Sequence, residues 1–253
     1  MSPPRLMDPK RIHRLLFGVY YQEDIFEQVS RLAPLAMRAL GSRVLEGMRR
    51  RNLIFLHVPR TGGTSITRAL YGNHCIEHHS AACLKAMAPE FWNVTDSFAV
   101  MRDPFDRFAS SYAFVRGGGT ETCRLSDVFQ AQTAHIRGVD DYLCFIEERT
   151  AFALDFVMRP QAWFVCDPAG GPPLVRRLFL YGRDQASLLA YLRRHGIAGL
   201  PWLNRSLRIP LSLSRRQKLR VEKIYAADFQ LLDLLTARRA ADTGLTPAAI
   251  AAE

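Results

Sequence analysis

No apolar run in this 253-residue chain approaches the ~20 residues that a membrane-spanning helix needs. Cysteine is sparse: five, at positions 75, 83, 123, 144 and 166. An odd count, irregular spacing and no C-x-x-C pair exclude a disulfide framework or a zinc ribbon, and the thiols read as reduced and mostly buried. The opening MSPPRLMDPKRIHR lacks the charged-then-apolar plan of a signal peptide, because Pro3, Pro4, Asp8 and Pro9 interrupt it. A soluble, cytoplasmic protein is the expectation. There is no internal repeat and no low-complexity tract. Charged residues make up 23%, close to the globular average, which excludes a disordered chain.

What is present is enough apolar material for a core, 48% of residues, and at this length one large domain is favoured over two small ones. The formal net charge is +10 and the pI about 9.8. That excess points to an anionic partner: a nucleotide, a nucleic acid, a membrane surface or an acidic glycan. Residues 1–50 form a basic, weakly amphipathic helical prelude ending in Arg49-Arg50-Arg51, ahead of the main domain at 51–253. The prelude is read either as a surface-packed extension or as a contact to a membrane surface or other anionic partner.

From Asn52 to Val58 the run NLIFLHV predicts a buried strand, which enters Pro59-Arg60-Thr61-Gly62-Gly63-Thr64-Ser65 and then a helix, ITRALYG. A helical stretch near 80–88 follows, then a second buried strand, Ser97 to Arg102. Pro104 opens a helix through FDRFASSYAFV, which Gly117-Gly118-Gly119 closes. Further on, 138–149 and 184–195 read as helices, 162–166 and 177–181 as strands, and 212–238 as one long amphipathic helix. Strands alternating with helices predict an α/β fold around a parallel sheet.

Two segments carry chemistry. In the first, a strand, a glycine turn and a helix start bring backbone N–H groups and a helix dipole to one point, as an anion requires. Gly62 and Gly63 let the backbone approach closely, while Thr61, Thr64 and Ser65 offer hydroxyls and Arg60 a cation. The plain alternative is a turn with capping Thr and Ser. The segment is not a Walker A loop, since no Lys follows the second glycine, and this disfavours an ATP- or GTP-driven enzyme. In the second segment, Arg102 stands at a strand end and Ser110 about two turns into the next helix. A phosphate between them would meet a guanidinium fork on one side and a hydroxyl on the other. The alternative there is an ordinary strand-to-helix junction, with Asp103 as cap and Arg107 on a solvated face.

Taken together, FLHVPRTGGTSI resembles the 5′-phosphosulfate loop of sulfotransferases that use 3′-phosphoadenosine 5′-phosphosulfate (PAPS). VMRDPFDRFASSY resembles their 3′-phosphate motif, R-[DN]-P-[FYW]-D-R-x-x-S-x-Y. The likeness is closest to the carbohydrate 2-O-sulfotransferase branch and its bacterial relatives. It continues more weakly through RPQAWFVCD, LPWLNRS and IYAADFQLL, over roughly 50–235. The resemblance implies a P-loop-like three-layer α/β fold, a central parallel sheet flanked by helices, and no metal. It implies that Arg60, Thr61, Gly62, Gly63, Thr64 and Ser65 hold the 5′-phosphosulfate, and that Arg102 and Ser110 grip the 3′-phosphate. It further implies a hydroxyl-bearing acceptor, a glycan or glycolipid, rather than nucleic acid.

Arg60 departs from the Lys commoner in this branch. Arg does not give up a proton, so its role is electrostatic. At Tyr181-Gly182-Arg183-Asp184 relatives often carry a glutamate after a strand. A catalytic histidine lies between the two motifs in that branch, in an H-x-x-A setting. His79, followed by Ser80-Ala81-Ala82, fits that register first, with His78 second and Glu77 third. A neutral imidazole suits general-base work. The alternative for either histidine is a partly exposed loop residue. His74-Cys75-x-x-His78-His79 also has metal-ligand types, but a closed zinc site draws a second pair from farther away and no downstream cluster supplies one. Asn204, Arg205 and Arg208 are read either as nucleotide contacts or as surface charge. Trp163, Tyr191 and Trp202 are read as core or as a sugar platform, and loops 114–135 and 166–176 as acceptor walls. Two rival functions remain at this stage, a P-loop kinase needing Mg²⁺ and a basic nucleic-acid-binding module.

Overall fold

The computed structural model describes residues 24–40, 45–72, 76–120, 123–201 and 211–243. Among the described residues three helices come first: α1 Asp24–Leu32, α2 Pro34–Leu40 and α3 Glu46–Arg51. Strand β1 (Leu53–Leu56) then leads to α4 (Gly63–Tyr71), α5 (Ala81–Met87) and α6 (Pro89–Val94), and β2 (Asp96–Met101) to α7 (Pro104–Arg116). Next come α8 (Asp127–Thr133), α9 (Val139–Glu147) and a short α10 (Gln161–Val165). Strand β3 (Arg177–Leu180) precedes α11 (Gln185–Arg194), α12 (Arg215–Ile224) and α13 (Ala226–Thr243).

The sheet is parallel throughout, in the order β1-β2-β3. Every β1 side chain is buried, and so is every β2 side chain after Asp96. Strands covered on both faces read as unbroken apolar runs, which is why they are visible in the sequence. The outer edge of β1 is not left open. The Tyr71 hydroxyl accepts from Phe55 N–H at 3.0 Å and donates to the Leu53 carbonyl at 2.9 Å, so α4 seals that edge. Because the strands run one way, the segments leaving Leu56, Met101 and Leu180 emerge at one edge, where parallel α/β sheets bind ligands. The expected three-layer α/β architecture with a parallel sheet flanked by helices is the one observed.

Two predicted elements differ. The stretch 162–166, expected as a strand, is helix α10. Pro160 precedes it, and the Asp228 carboxylate accepts from the N–H groups of Gln161 and Ala162 at 2.9 and 2.8 Å, which caps a helix start. Only Cys166 keeps a strand-like bridge, to Pro173. The single helix expected over 212–238 is two helices. Tyr225 leaves helical geometry (φ −108°, ψ 29°) and its buried hydroxyl donates to the Met158 carbonyl at 2.8 Å.

Helices α1 and α2 are packed into the protein. Asp24 and Arg159 form a fully buried two-pronged ion pair at 2.7 and 2.6 Å, and Met37 belongs to the core around the sheet. A second apolar cluster gathers Phe108, Tyr142 and Tyr225 beneath α7. Among the described residues no helix is long and apolar enough to cross a membrane; the four described cysteines are free thiols, but only Cys83 is buried, against the expectation of mostly buried ones.

Candidate functional site

The loop after β1 is built on two unusual backbone positions. Arg60 adopts φ +68° and Gly62 φ +80°. A non-glycine residue held in the left-handed region costs of order 1–3 kcal/mol, and such strain gathers at functional loops. Gly62 is demanded twice, by its φ and by the Tyr181 ring, which lies 2.7 Å from where a Cβ would stand. At Gly63 a Cβ would sit 2.0 Å from the His57 ring. Thr61 is buried, and its hydroxyl donates to the Val58 carbonyl at 2.9 Å, so that hydroxyl shapes the loop. Thr64 is exposed and Ser65 half-buried in the first turn of α4.

The second motif meets the first here. The Arg60 guanidinium donates to Ser110 Oγ through Nε and Nη2, at 3.2 and 3.1 Å, and lies over the Phe114 ring. Burial and the neighbouring Arg102 push the Arg60 pKa down to about 10. Arg102 stands immediately beyond β2, its guanidinium over the Tyr181 ring at 5.4 Å. Its buried Nε has no hydrogen-bond partner, and the nearest carboxylate oxygen, from Asp106, is 4.0 Å away. Asp103 caps α7, accepting from the N–H groups of Phe105 and Asp106 at 2.9 and 3.1 Å.

Arg107 is not on a solvated face. It is 1% exposed, with Nε donating to the Pro59 carbonyl at 3.2 Å and Nη2 to the Phe156 carbonyl at 3.4 Å. It thereby ties α7 to the residue before Arg60. Gln161 is another contributor that the sequence reading passed over: its side-chain amide bonds both the N–H and the C=O of Arg102, at 2.9 and 2.8 Å.

The two histidines differ sharply. His78 Nδ1 lies 2.9 Å from the His57 carbonyl oxygen. A carbonyl only accepts, so Nδ1 carries the proton and Nε2 holds the lone pair. Its ring packs on His57 at 4.3 Å and faces Phe156, and burial pushes its pKa down to about 4. His57 is likewise held well below the usual histidine value by burial and by His78. His79, by contrast, is 3% exposed, with Nδ1 3.8 Å from Glu27 Oε1 and Nε2 2.9 Å from Glu77 Oε2. Burial alone would lower its pKa, but the nearby Cys83, Glu27 and Glu77 carry it well above the usual value. The His79 ring beside it holds the Glu77 carboxyl below the ordinary carboxylate range.

Glu27 also bonds Ser80 through both oxygens, from N–H at 2.6 Å and from Oγ at 2.7 Å, while Ser80 caps α5. Glu27, His79 and Cys83 are the described residues whose ligand atoms approach closely enough for a metal, within 4.8 Å of one another. Both Glu27 oxygens are already committed to Ser80. Tyr191 is core: its ring packs on Phe98 and Phe179, and its hydroxyl donates to Asp96. Trp163 is half-buried beneath the Arg159 guanidinium. Loop 166–176 leads into the N-terminal end of β3, away from the strand ends that carry the motifs. His74, Cys75, Trp202, Asn204, Arg205 and Arg208 lie outside the described residues.

Arg60, Ser110 and Arg102 thus stand together at the C-terminal edge of the sheet, while His78 backs onto the same loop through His57 and Gly63. The model of one protein family, described as the sulfotransferase family, matches residues 48–234. No curated protein and no solved structure matches the chain.

Proposed function

The chain belongs to the sulfotransferase family, and from that premise we propose that it moves a sulfuryl group from PAPS to a hydroxyl of a carbohydrate acceptor, with His78 as the base. The observation that carries this reading is the convergence of Arg60 and Ser110 from separate motifs, 3.1 Å apart, beside an Arg102 whose buried Nε is unpartnered. Buried donors are normally satisfied, and an anion with two phosphate-like ends would satisfy this set. In this reading Arg102 and Ser110 hold the 3′-phosphate. The Gly62-Gly63 turn, Thr64 and Ser65 receive the 5′-phosphosulfate. Arg60 leaves Ser110 to stabilise charge growing on the bridging oxygen.

In the reaction the acceptor oxygen forms a bond to sulfur as the bond from sulfur to the bridging phosphate oxygen breaks. The acceptor proton passes to His78 Nε2, and 3′-phosphoadenosine 5′-phosphate (PAP) leaves. The support for His78 over His79 is electrostatic. A base must be neutral before it acts, and His78 is neutral with its Nδ1–H anchored on a carbonyl, whereas His79 sits as a cation between two carboxylates. The donor's negative charge raises the pKa of His78 in the complex, which strengthens it as a base. Glu77 serves His79. The carbohydrate acceptor rests on the resemblance of both motifs to the 2-O-sulfotransferase branch.

The test needs no acceptor. PAP fills both phosphate sites, and a ligand at about 100 times its Kd stabilises the fold by roughly 2.7 kcal/mol. For a domain of this size the expected rise in Tm is roughly 5–10 °C, unchanged by chelator and larger than the rise with Mg·ATP. The opposite ranking, with chelator abolishing the effect of ATP, would replace this reading by a kinase.

A further inference from the structure

We propose that Gln161 is a positioning residue that sets the selectivity for the donor's 3′-phosphate by clamping the main chain of Arg102; this rests on the reading of Arg102 as the 3′-phosphate ligand. The sheet ladder ends one residue earlier, where Tyr181 N–H donates to the Met101 carbonyl at 2.6 Å. The Gln161 amide takes over at Arg102. Its Oε1 accepts the Arg102 N–H at 2.9 Å and its Nε2–H donates to the Arg102 carbonyl at 2.8 Å. A primary amide carries one acceptor and a donor in a plane, so it pairs with a peptide unit as another strand would. Neither a carboxylate, which has no donor, nor a hydrocarbon can do this.

The clamp is itself held. Gln161 is 0% exposed, and its own N–H donates to Asp228 Oδ2 at 2.9 Å while the next N–H donates to Oδ1 at 2.8 Å. Asp228, also 0% exposed, lies at the start of α13, so the far end of the chain fixes a side chain at the end of β2. Beyond the Tyr181 ring under its guanidinium, the Arg102 side chain has little to steer it, its Nε being unpartnered and Asp106 4.0 Å away. Its direction therefore depends on where its backbone is held. A group that acts by placing a charge loses effect with small displacements, a 1 Å misplacement reaching about 100-fold.

The experiment measures the affinities of PAP and of adenosine 5′-monophosphate by calorimetry, in wild type, Gln161→Leu, Gln161→Glu and Arg102→Ala. Gln161→Leu is expected to reduce the preference for PAP by about 10- to 100-fold while binding of the monophosphate stays close to wild type. In turnover the KM for PAPS should rise far more than kcat falls. Gln161→Glu keeps the acceptor for the Arg102 N–H but sets a carboxylate against its carbonyl, so it should also lose preference. An equal loss for both ligands, or an unchanged preference, overturns the inference. Should Gln161→Leu fail to fold, the near-isosteric Gln161→Glu is read by the same ratio. Arg102→Ala separates the two levels. If it leaves the PAP preference intact, the 3′-phosphate reading itself falls; if it removes the preference and the Gln161 variants do not, only the clamp falls.

Discussion

The ends of β1 and β2 lie side by side but are held by opposite means. Behind the β1 end stand charges, the buried Glu27 and His79 with the exposed Glu77. Behind the β2 end stands a neutral amide, Gln161, bonded to backbone. A buried carboxylate supports each: Glu27 bonds Ser80 at the start of α5, and Asp228 caps α10. The difference suits what each end carries. Burial keeps the His78 imidazole neutral, and the cationic His79 beside it pushes the same way. Beneath Arg102 a charged clamp would compete with the proposed anion for the guanidinium, and an amide bonded to the main chain does not.

The sharpest way to break this comparison is to exchange the histidines. His78→Ala is expected to lower kcat by about 10²–10⁴-fold with PAP binding near normal. In wild type the acid limb of kcat/KM should fall near pH 4, following the depressed pKa of His78. His79→Gln should act chiefly on stability. If the folded His79 variant loses as much turnover as the His78 variant, the assignment of the two roles is inverted.

Next comes the brace itself. Glu27→Ala leaves the His79 cation without its buried partner and Ser80 without its acceptor, and should cost about 3–5 kcal/mol in denaturant unfolding at pH 7. Asp228→Asn keeps one carbonyl acceptor and should cost less, about 1–3 kcal/mol. The reverse order would show that the charged brace is not the stronger of the two. Smaller again is Arg60→Ala, expected to lose about 10²-fold in kcat, whereas Arg60→Lys retains considerable activity because the cation is kept. Normal turnover by the alanine variant would take Arg60 out of the reaction.

The gentlest probe is pH. His79 has a raised pKa in the folded state, so its contribution is fully present below about pH 6.5 and is lost as pH rises through the folded value. His78 is depressed to about 4, so the unfolded chain binds more protons between that value and about 6.5 and stability rises with pH across that window. The adjacent histidines therefore give slopes of opposite sign. Urea midpoints across pH should decline on the alkaline side in wild type, and that decline should vanish in His79→Gln. An unchanged alkaline limb in that variant would mean that His79 is not the cation of the cluster.

The buried strands, the glycine turn and the Asp103-Pro104 helix start were legible in the sequence because each depends on neighbours a few residues away. Apolar runs declare strands covered on both faces, glycines declare a backbone that needs positive φ or close approach, and Asp before Pro declares a capped helix. The pairing of the two motifs was legible in the same way, since each follows a strand and parallel strands deliver their ends to one edge. The different settings of His78 and His79 were not, because they depend on Glu27, some fifty residues away in sequence, and on the His57 carbonyl. Arg107 resembled a solvated residue until Pro59 and Phe156 were seen to accept from it. The helix at 161–165 and the break at Tyr225 came from Asp228 and Met158, partners that no local pattern announces. Local chemistry determined which groups stand at the strand ends; the tertiary structure decided their protonation and aim, because burial and long-range hydrogen bonds set both.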